Sequence, residues 1–322
     1  MRVLVLGGTR FIGAAIVEEL DAHGHELLLV HRGEHEPDDL PEVDHLHCDR
    51  KDLPHLRGAL ADFGPDALVD TLALTAADAE TALAAVDDLR LLVLSSMDVY
   101  RAFNSALHGG ETDAVPLDET APLREQRYPY RGVLEGRDDY DKLDVEDAYR
   151  ARAATVCRLP MVYGERDYQR REEKLLRRVR AGRARIPVGT ANWLWTRGYV
   201  RDVAAGVRLA LESEATVGEV LNLGESHTWS MLLWARHVLE AAGSTAELVR
   251  VPDVLLPDDL EELGSFAQHL LFDSSKARDL LGWTETDPHE AIRRSVAWHL
   301  AHPPEGVSDD FTADDRALAA AG

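Results

Sequence analysis

Only four lysines and two cysteines occur in 322 residues, and 35 basic side chains face 58 acidic ones. Cys48 and Cys157 cannot build a disulfide framework, and a single bridge is a poor prospect in a reducing compartment. A formal charge of -23 repels polyphosphate, which argues against broad nucleic-acid or anionic-membrane binding. No apolar run approaches the ~20 residues that span a bilayer. The first residues pass from one arginine into a strand-like run and glycines, without the apolar core and cleavage site of a signal peptide, so a cytoplasmic location is expected. Neither a G-x-S-x-G elbow nor a G-K-S/T phosphate loop is present, which removes two hydrolase classes. Arginines number 31 against the four lysines, so each lysine stands out from the composition.

What is present is alternation. Short β-rich runs at 2–6, 26–31, 45–48, 67–72 and 91–95 are separated by helical stretches at 11–23, 53–63 and 76–89, as βαβ units require. This predicts an α/β fold, a doubly wound parallel Rossmann sheet covered on both faces. Residues 100–137 break the pattern with glycines, prolines and charges and read as a long functional loop. A helix over 138–153, a strand over 154–159, a basic helix over 169–180, a return strand near Val220, and helices over 230–242 and 288–302 follow. The expected division is a cofactor domain of 1–160 with 198–224, a smaller C-terminal substrate domain of 161–197 with 225–304, and an acidic, alanine-rich tail over 305–322 that is mobile or a short docked helix.

The strongest local signal is Gly7-Gly8-Thr9-Arg10-Phe11-Ile12-Gly13, directly after an apolar strand and opening a helix. Glycines allow backbone N–H groups to approach a pyrophosphate, the helix N-terminus supplies unpaired donors, and Gly13 lets helix and strand pack closely. The context of strand, loop, helix and second strand predicts a dinucleotide site. After the second strand a carboxylate for ribose hydroxyls is missing, and His31-Arg32-Gly33 stands there instead. Arg32, with Arg10 on the same side, suits a 2′-phosphate, so NADP is preferred and NAD remains possible.

These residues, with several later landmarks, resemble the extended or atypical branch of the short-chain dehydrogenase/reductase superfamily, the NAD-dependent epimerase/dehydratase group. The 7–13 segment is similar to the version in which arginine replaces the middle glycine, shared by bacterial epimerase-like proteins and an RNA-binding plastid relative. The landmarks are Asp49 in Cys48-Asp49-Arg50, Ser95-Ser96-Met97-Asp98-Val99-Tyr100, Arg158-Leu159-Pro160-Met161-Val162-Tyr163-Gly164, Tyr199-Val200-Arg201-Asp202, Leu221-Asn222-Leu223-Gly224, and Phe272-Asp273 through Leu281-Gly282-Trp283. The resemblance covers about 1–304. It implies that Asp49 meets adenine, with Arg50 and Ala73 in the cofactor set, and that a homodimer forms through two helices.

The resemblance also implies a nicotinamide-side trio. Ser96 matches the hydroxyl residue that bonds the reacting oxygen, and a tyrosine exchanges the proton while a lysine lowers its pKa and holds the ribose. The Tyr-x-x-x-Lys spacing is not intact. Tyr140-Asp141-Lys142 puts the two side chains roughly 200° apart on a regular helix. Aligning Lys142 puts Asp138 at the tyrosine position, and aligning Tyr140 puts Asp144 at the lysine position. Either the helix begins late enough for Tyr140 to curl back, or the tyrosine chemistry is altered or absent. The surface alternative for Lys142 is a pair with Glu146, its i,i+4 neighbour, and Tyr128 and Tyr130 are spare phenols.

On the substrate side, residues 166–185 carry nine positive charges. The resemblance implies Arg158, Tyr163 and Arg197 as substrate contacts, the alternative being a solvated helix that balances the acidic surface, although the segment around Arg197 is about two residues shorter than nucleotide-sugar epimerases have it. The pairs His23/His25, His31/His35 and His45/His47 with Cys48 invite a zinc reading. Strand alternation and the lack of a second cysteine argue otherwise, so no metal is expected. The expectation is thus an NAD(P)-dependent oxidoreductase acting by hydride transfer on a sugar-like or other small molecule. A carbonyl reductase of a non-nucleotide metabolite and a non-catalytic cofactor-binding scaffold are the alternatives. Neither nucleic acid nor membrane is an expected partner.

Overall fold

The computed structural model describes residues 1–322 apart from 38, 111 and 322, and apart from the side chains of 53 and 54. The first half runs β1 (Arg2–Leu6), α1 (Phe11–Ala22), β2 (Glu26–His31), β3 (Asp44–His47), α2 (Leu53–Phe63), β4 (Ala67–Asp70), α3 (Ala76–Ala85), β5 (Arg90–Ser96). Then come α4 (Arg101–His108), α5 (Lys142–Arg150), β6 (Thr155–Leu159), β7 (Met161–Tyr163), α6 (Glu173–Arg180), β8 (Arg185–Val188) and β9 (Arg197–Tyr199). The chain closes with α7 (Val200–Glu212), β10 (Val220–Asn222), α8 (Met231–Ala241), β11 (Glu247–Arg250), α9 (Ser275–Leu281), α10 (Pro288–Ala301) and α11 (Thr312–Ala319).

Seven strands form one sheet in the order β10-β6-β5-β4-β1-β2-β3, every pair parallel. Strand order reverses beside β1, so the ends of β1 and β4 open a crevice at the topological switch point. The near-continuous apolar strands follow from burial on both faces. Val3 and Val5 pack with Ile16, Val17 and Leu20 of α1, whereas Leu4 and Leu6 pack with Leu56, Leu60 and Ala79 under α2 and α3. The expected return strand is β10, paired with β6 through Leu221 opposite Cys157. Beyond β6 lie two small parallel pairs, β7 with β9 and β8 with β11.

Three expectations are corrected. Residues 100–137 are not all loop, because α4 occupies 101–108. The basic helix starts at Glu173 rather than 169, after Arg170 turns through φ 48°. The helix expected over 138–153 spans only Lys142–Arg150. The tail docks as α11, whose Asp314 forms a buried ion pair with Arg178 of α6 at 2.7 Å. Among the described residues no helix is long and apolar enough to cross a membrane.

Candidate active site

Because β5, β4, β1 and β2 are adjacent and parallel, their C-terminal ends lie side by side. Gly7 leaves β1 at φ +100° and Gly8 at φ +101°, the left-handed region where glycine avoids strain. A Cβ on Gly7 would lie 2.3 Å from Thr71 Oγ1, and one on Gly13 would lie 2.9 Å from the Gly8 amide nitrogen. The backbone therefore approaches as closely as the sequence implied. α1 begins without a side-chain cap and without an acid in its first turn, so its N–H groups and positive dipole end stay available to an anion. Thr9 is buried, Arg10 is exposed at the N-cap, and Phe11 opens the helix with its ring edge-on to Tyr168.

The second cluster stands at the end of β5. Ser96 caps a short 3-10 turn by accepting the Asp98 amide at 3.2 Å, and that turn buries Asp98. Tyr140 donates to Asp98 Oδ2 at 2.6 Å, Tyr130 reaches the same oxygen at 3.5 Å, and Oδ1 has no partner. Burial raises the Asp98 carboxyl, against the opposing Tyr140 hydrogen bond and the charges of Arg124 and Lys142. Burial and then Asp98 also push Tyr140 well above the ordinary phenol value, while a Ser96 hydrogen bond opposes them. The phenol is thus held as a donor to a carboxylate, not as the lysine-stabilised phenolate that the resemblance implied.

Tyr140 reaches this position because it is not helical. Asp141 is the N-cap of α5, extended at φ -157°, and accepts the Leu143 amide at 2.9 Å. Its carboxylate also takes the Tyr128 amide and the Arg124 guanidinium, at 2.5 and 3.1 Å, in a fully buried pair. Lys142, at the first helical position, points inward and donates to the carbonyls of Ala73 at 2.6 Å and Leu94 at 2.9 Å. Burial pushes its ammonium down to about 8, with Asp70, Asp98 and Glu146 pulling the other way. The surface pair with Glu146 does not form, because Glu146 is taken by Arg158 at 2.7 Å and by Ser95.

Other expected contacts are placed differently. Arg158 is a fully buried core residue, paired with Glu146 and 3.1 Å from the Tyr100 hydroxyl. Arg50 is locked on Asp70 at 2.6 and 3.1 Å, with Tyr149 on the same carboxylate. Asp49 is exposed and accepts the Lys51 amide. Arg32 is exposed and pairs with Glu34 at 2.8 Å. Arg197 and Tyr163 share a closed pocket with Met231 and Trp234, and Arg197 also donates to the carbonyl of Trp195, whose ring N–H meets Met97 beside Ser96. Arg197 lies 3.9 Å over the Trp234 ring with Nε unpartnered, and burial pushes it down to about 10. The expected absence of a metal also meets a contrary observation. Strand alternation brings His31, His45 and His47 together with Glu36, all four ligand atoms within 4.8 Å of one another. Cys48 and Cys157 are free and buried in the core.

A family model, the NAD dependent epimerase/dehydratase family, matches residues 3–224. The chain belongs to this family. Its seven-stranded Rossmann-like sheet and its glycine turn fit that membership. A chloroplast stem-loop binding protein of 41 kDa (b) from Arabidopsis thaliana is 27% identical over 98% of this chain and 84% of its own. A 2′-dehydrokanamycin reductase from Streptomyces kanamyceticus is 26% identical over 83% of this chain and 74% of its own. A UDP-glucose-4-epimerase from Stenotrophomonas maltophila, solved with NAD and formylated UDP-arabinopyranose, shares the fold at TM-score 0.72 and 22% identity, over 94% of this chain and 98% of that one. The sequence motif holds Asp98 without pointing to a role for it, and no local pattern marks the buried Arg124. The signal for Asp98 was a carboxylate two residues past the site serine, inside an otherwise apolar turn.

Proposed function

We propose that the protein is an NAD(P)-dependent oxidoreductase moving a hydride at a carbinol or carbonyl carbon of a small molecule. The observation that carries this is the Asp98–Tyr140 pair, set between Ser96 and Lys142 at the same sheet edge as the Gly7–Gly13 turn. The residues fit the cofactor, because a Cβ would fill the cradle at Gly7 and Gly13 and the first turn of α1 is left open. A bound nicotinamide supplies the hydride acceptor or donor.

This chain's residues would handle the oxygen and its proton. Ser96 orients the substrate oxygen by a hydrogen bond. Tyr140 takes the hydroxyl proton as its own passes to Asp98, so no free phenolate need accumulate; in the reducing direction the same path runs backward. Lys142 would hold positive charge beside Asp98 and, released from the Ala73 carbonyl, would bind the cofactor's ribose. Arg10 and Arg32, exposed at the adenosine side, favour NADP, which Arg32 reaches by releasing Glu34.

The substrate reading favours a sugar-like ring without a nucleotide diphosphate. Arg197 faces Trp234 and Met231 instead of an open anion site, and the similarity to a 2′-dehydrokanamycin reductase supports net carbonyl reduction. The test is calorimetric titration of cofactor-stripped protein with NADPH and NADH, followed by a carbonyl-sugar screen read by loss of reduced nicotinamide. NADPH binding that weakens in Arg32→Ala, with stoichiometric oxidation on a ketosugar, is the expected result. Conversion of a UDP-sugar without net oxidation makes it an epimerase. Binding of neither cofactor overturns the proposal.

A further inference from the structure

We propose that His31, His45, His47 and Glu36 form a binding site for one divalent transition-metal ion, with Zn2+ as the fitting probe. The site follows from register. β2 and β3 pair in parallel with Leu29 opposite His45 and His31 opposite His47, so the three imidazoles share one face of the sheet edge. The loop after Gly33 then returns Glu36 to the same point.

The separations suit a single ion. His31 Nε2 lies 2.8 Å from His45 Nδ1 and 3.7 Å from Glu36 Oε1, and His47 Nε2 lies 2.5 Å from Glu36 Oε1. Donors roughly 2.0–2.2 Å from a tetrahedral Zn2+ stand roughly 3.3–3.6 Å apart, so the measured separations straddle that range. Three nitrogens and one carboxylate oxygen select zinc, nickel or copper over magnesium and calcium, which take oxygen ligands. The rings already touch, with centroids 4.9 to 6.0 Å apart.

One proton must move for an ion to bind. Gly33 N–H donates to His31 Nδ1 at 3.1 Å, so the ring carries its proton on Nε2 and gives it to His45 Nδ1. Metal binding at Nε2 displaces that shared proton to Nδ1 of the same neutral ring, with none released to solvent. The ring proton then resides on Nδ1, and the peptide ahead of Gly33 must turn aside, in an exposed turn where Gly33 sits at φ +75°. The ion would tie the four-residue edge strand β3 to β2 and to the loop between them. The site does not rest on the hydride-transfer proposal, although it adjoins Arg32.

The experiment is titration of chelator-treated full-length protein with Zn2+ by calorimetry and with Co2+ by visible absorption. One equivalent and the intense bands of four-coordinate Co2+ are expected. His45→Gln and His47→Gln should each weaken binding by about 100-fold, and Glu36→Gln by about 10-fold. His227→Gln, an exposed histidine elsewhere, should leave binding unchanged. His47 and Glu36 side chains are 55% and 41% exposed, so these substitutions leave the core intact, which unchanged thermal unfolding confirms. No binding, binding that survives the His45 and His47 substitutions, or only the pale spectrum of six-coordinate Co2+ overturns the proposal.

Discussion

At the scale of single residues, the site is defined by charges that lack solvent. Tyr140 sits well above the ordinary phenol value because it is buried and because ionising it would place an anion against Asp98. Asp98→Asn removes that neighbour. The substitution should bring the Tyr140 phenol back toward 10, read by alkaline ultraviolet titration against a Tyr140→Phe reference. The same variant should slow substrate-dependent nicotinamide oxidation by about 10²–10⁴-fold with cofactor affinity unchanged, as loss of an acid–base group does. Lys142 gives a second prediction with a defined sign. Its folded-state pKa lies near 8, below the ordinary 10.5, so the unfolded chain binds this proton more tightly, and raising pH through that window favours folding. Relative to Lys142→Met, the wild type should gain thermal stability from about pH 8 to about 10.5, while the variant loses turnover at every pH. A flat difference across that range would mean that the ammonium is not buried in the folded protein.

At the scale of elements, the decisive feature is where α5 starts. A regular helix through 138–153 would have separated Tyr140 from Lys142, and the sequence left open whether a late start rescues the pair. The helix does start late, because Asp141 takes the N-cap and is pinned by Arg124, 17 residues earlier, midway between α4 and α5, but Tyr140 then donates to Asp98 and Lys142 to backbone carbonyls. Such a pairing is invisible to local periodicity, whereas β1, β2, β4 and β5 were legible because burial on both faces writes unbroken apolar runs. The same limit explains the arginines. From sequence alone an arginine that meets a ligand anion is indistinguishable from one that neutralises a buried acid, and Arg50 and Arg158 proved to be the second kind. Likewise, the β2–β3 register that gathers the histidines is set by tertiary packing. Asp141→Asn keeps the cap but leaves the Arg124 charge buried without its partner, and should cost about 3–5 kcal/mol in denaturant unfolding. Burial alone would raise the Asp141 carboxyl, yet the Arg124 hydrogen bonds hold it below 3.8. The pair's contribution is therefore full above that value and lost as pH falls through the lowered one. Asp141→Asn should accordingly flatten the acid limb of the stability profile and displace Tyr140, lowering turnover more than cofactor affinity.

At the scale of the whole molecule, charge decides between two kinds of relative. One similar protein is named for stem-loop binding and another as a 2′-dehydrokanamycin reductase. The basic residues of the 166–185 segment are largely spoken for: Arg178 pairs with Asp259 and Asp314, Arg177 with Asp259, Arg171 with Asp167, Arg166 with Glu18 and Asp39, and Lys174 with Glu262. What remains is a surface dominated by the net charge of -23. A polyanion gains affinity by releasing counterions to free basic groups, and a backbone repelled over most of the molecule gains little. A dinucleotide differs, because its pyrophosphate needs only the N–H groups of one helix start. Fluorescence anisotropy with a stem-loop RNA near physiological salt should therefore show binding no tighter than about 10⁻⁴ M, the weak end of the non-specific range. NADPH should bind the same preparation far more tightly, with affinity falling when Gly13→Val fills the space against the Gly8 amide. Tight RNA binding that NADPH fails to displace would instead place the function on a surface other than the glycine turn.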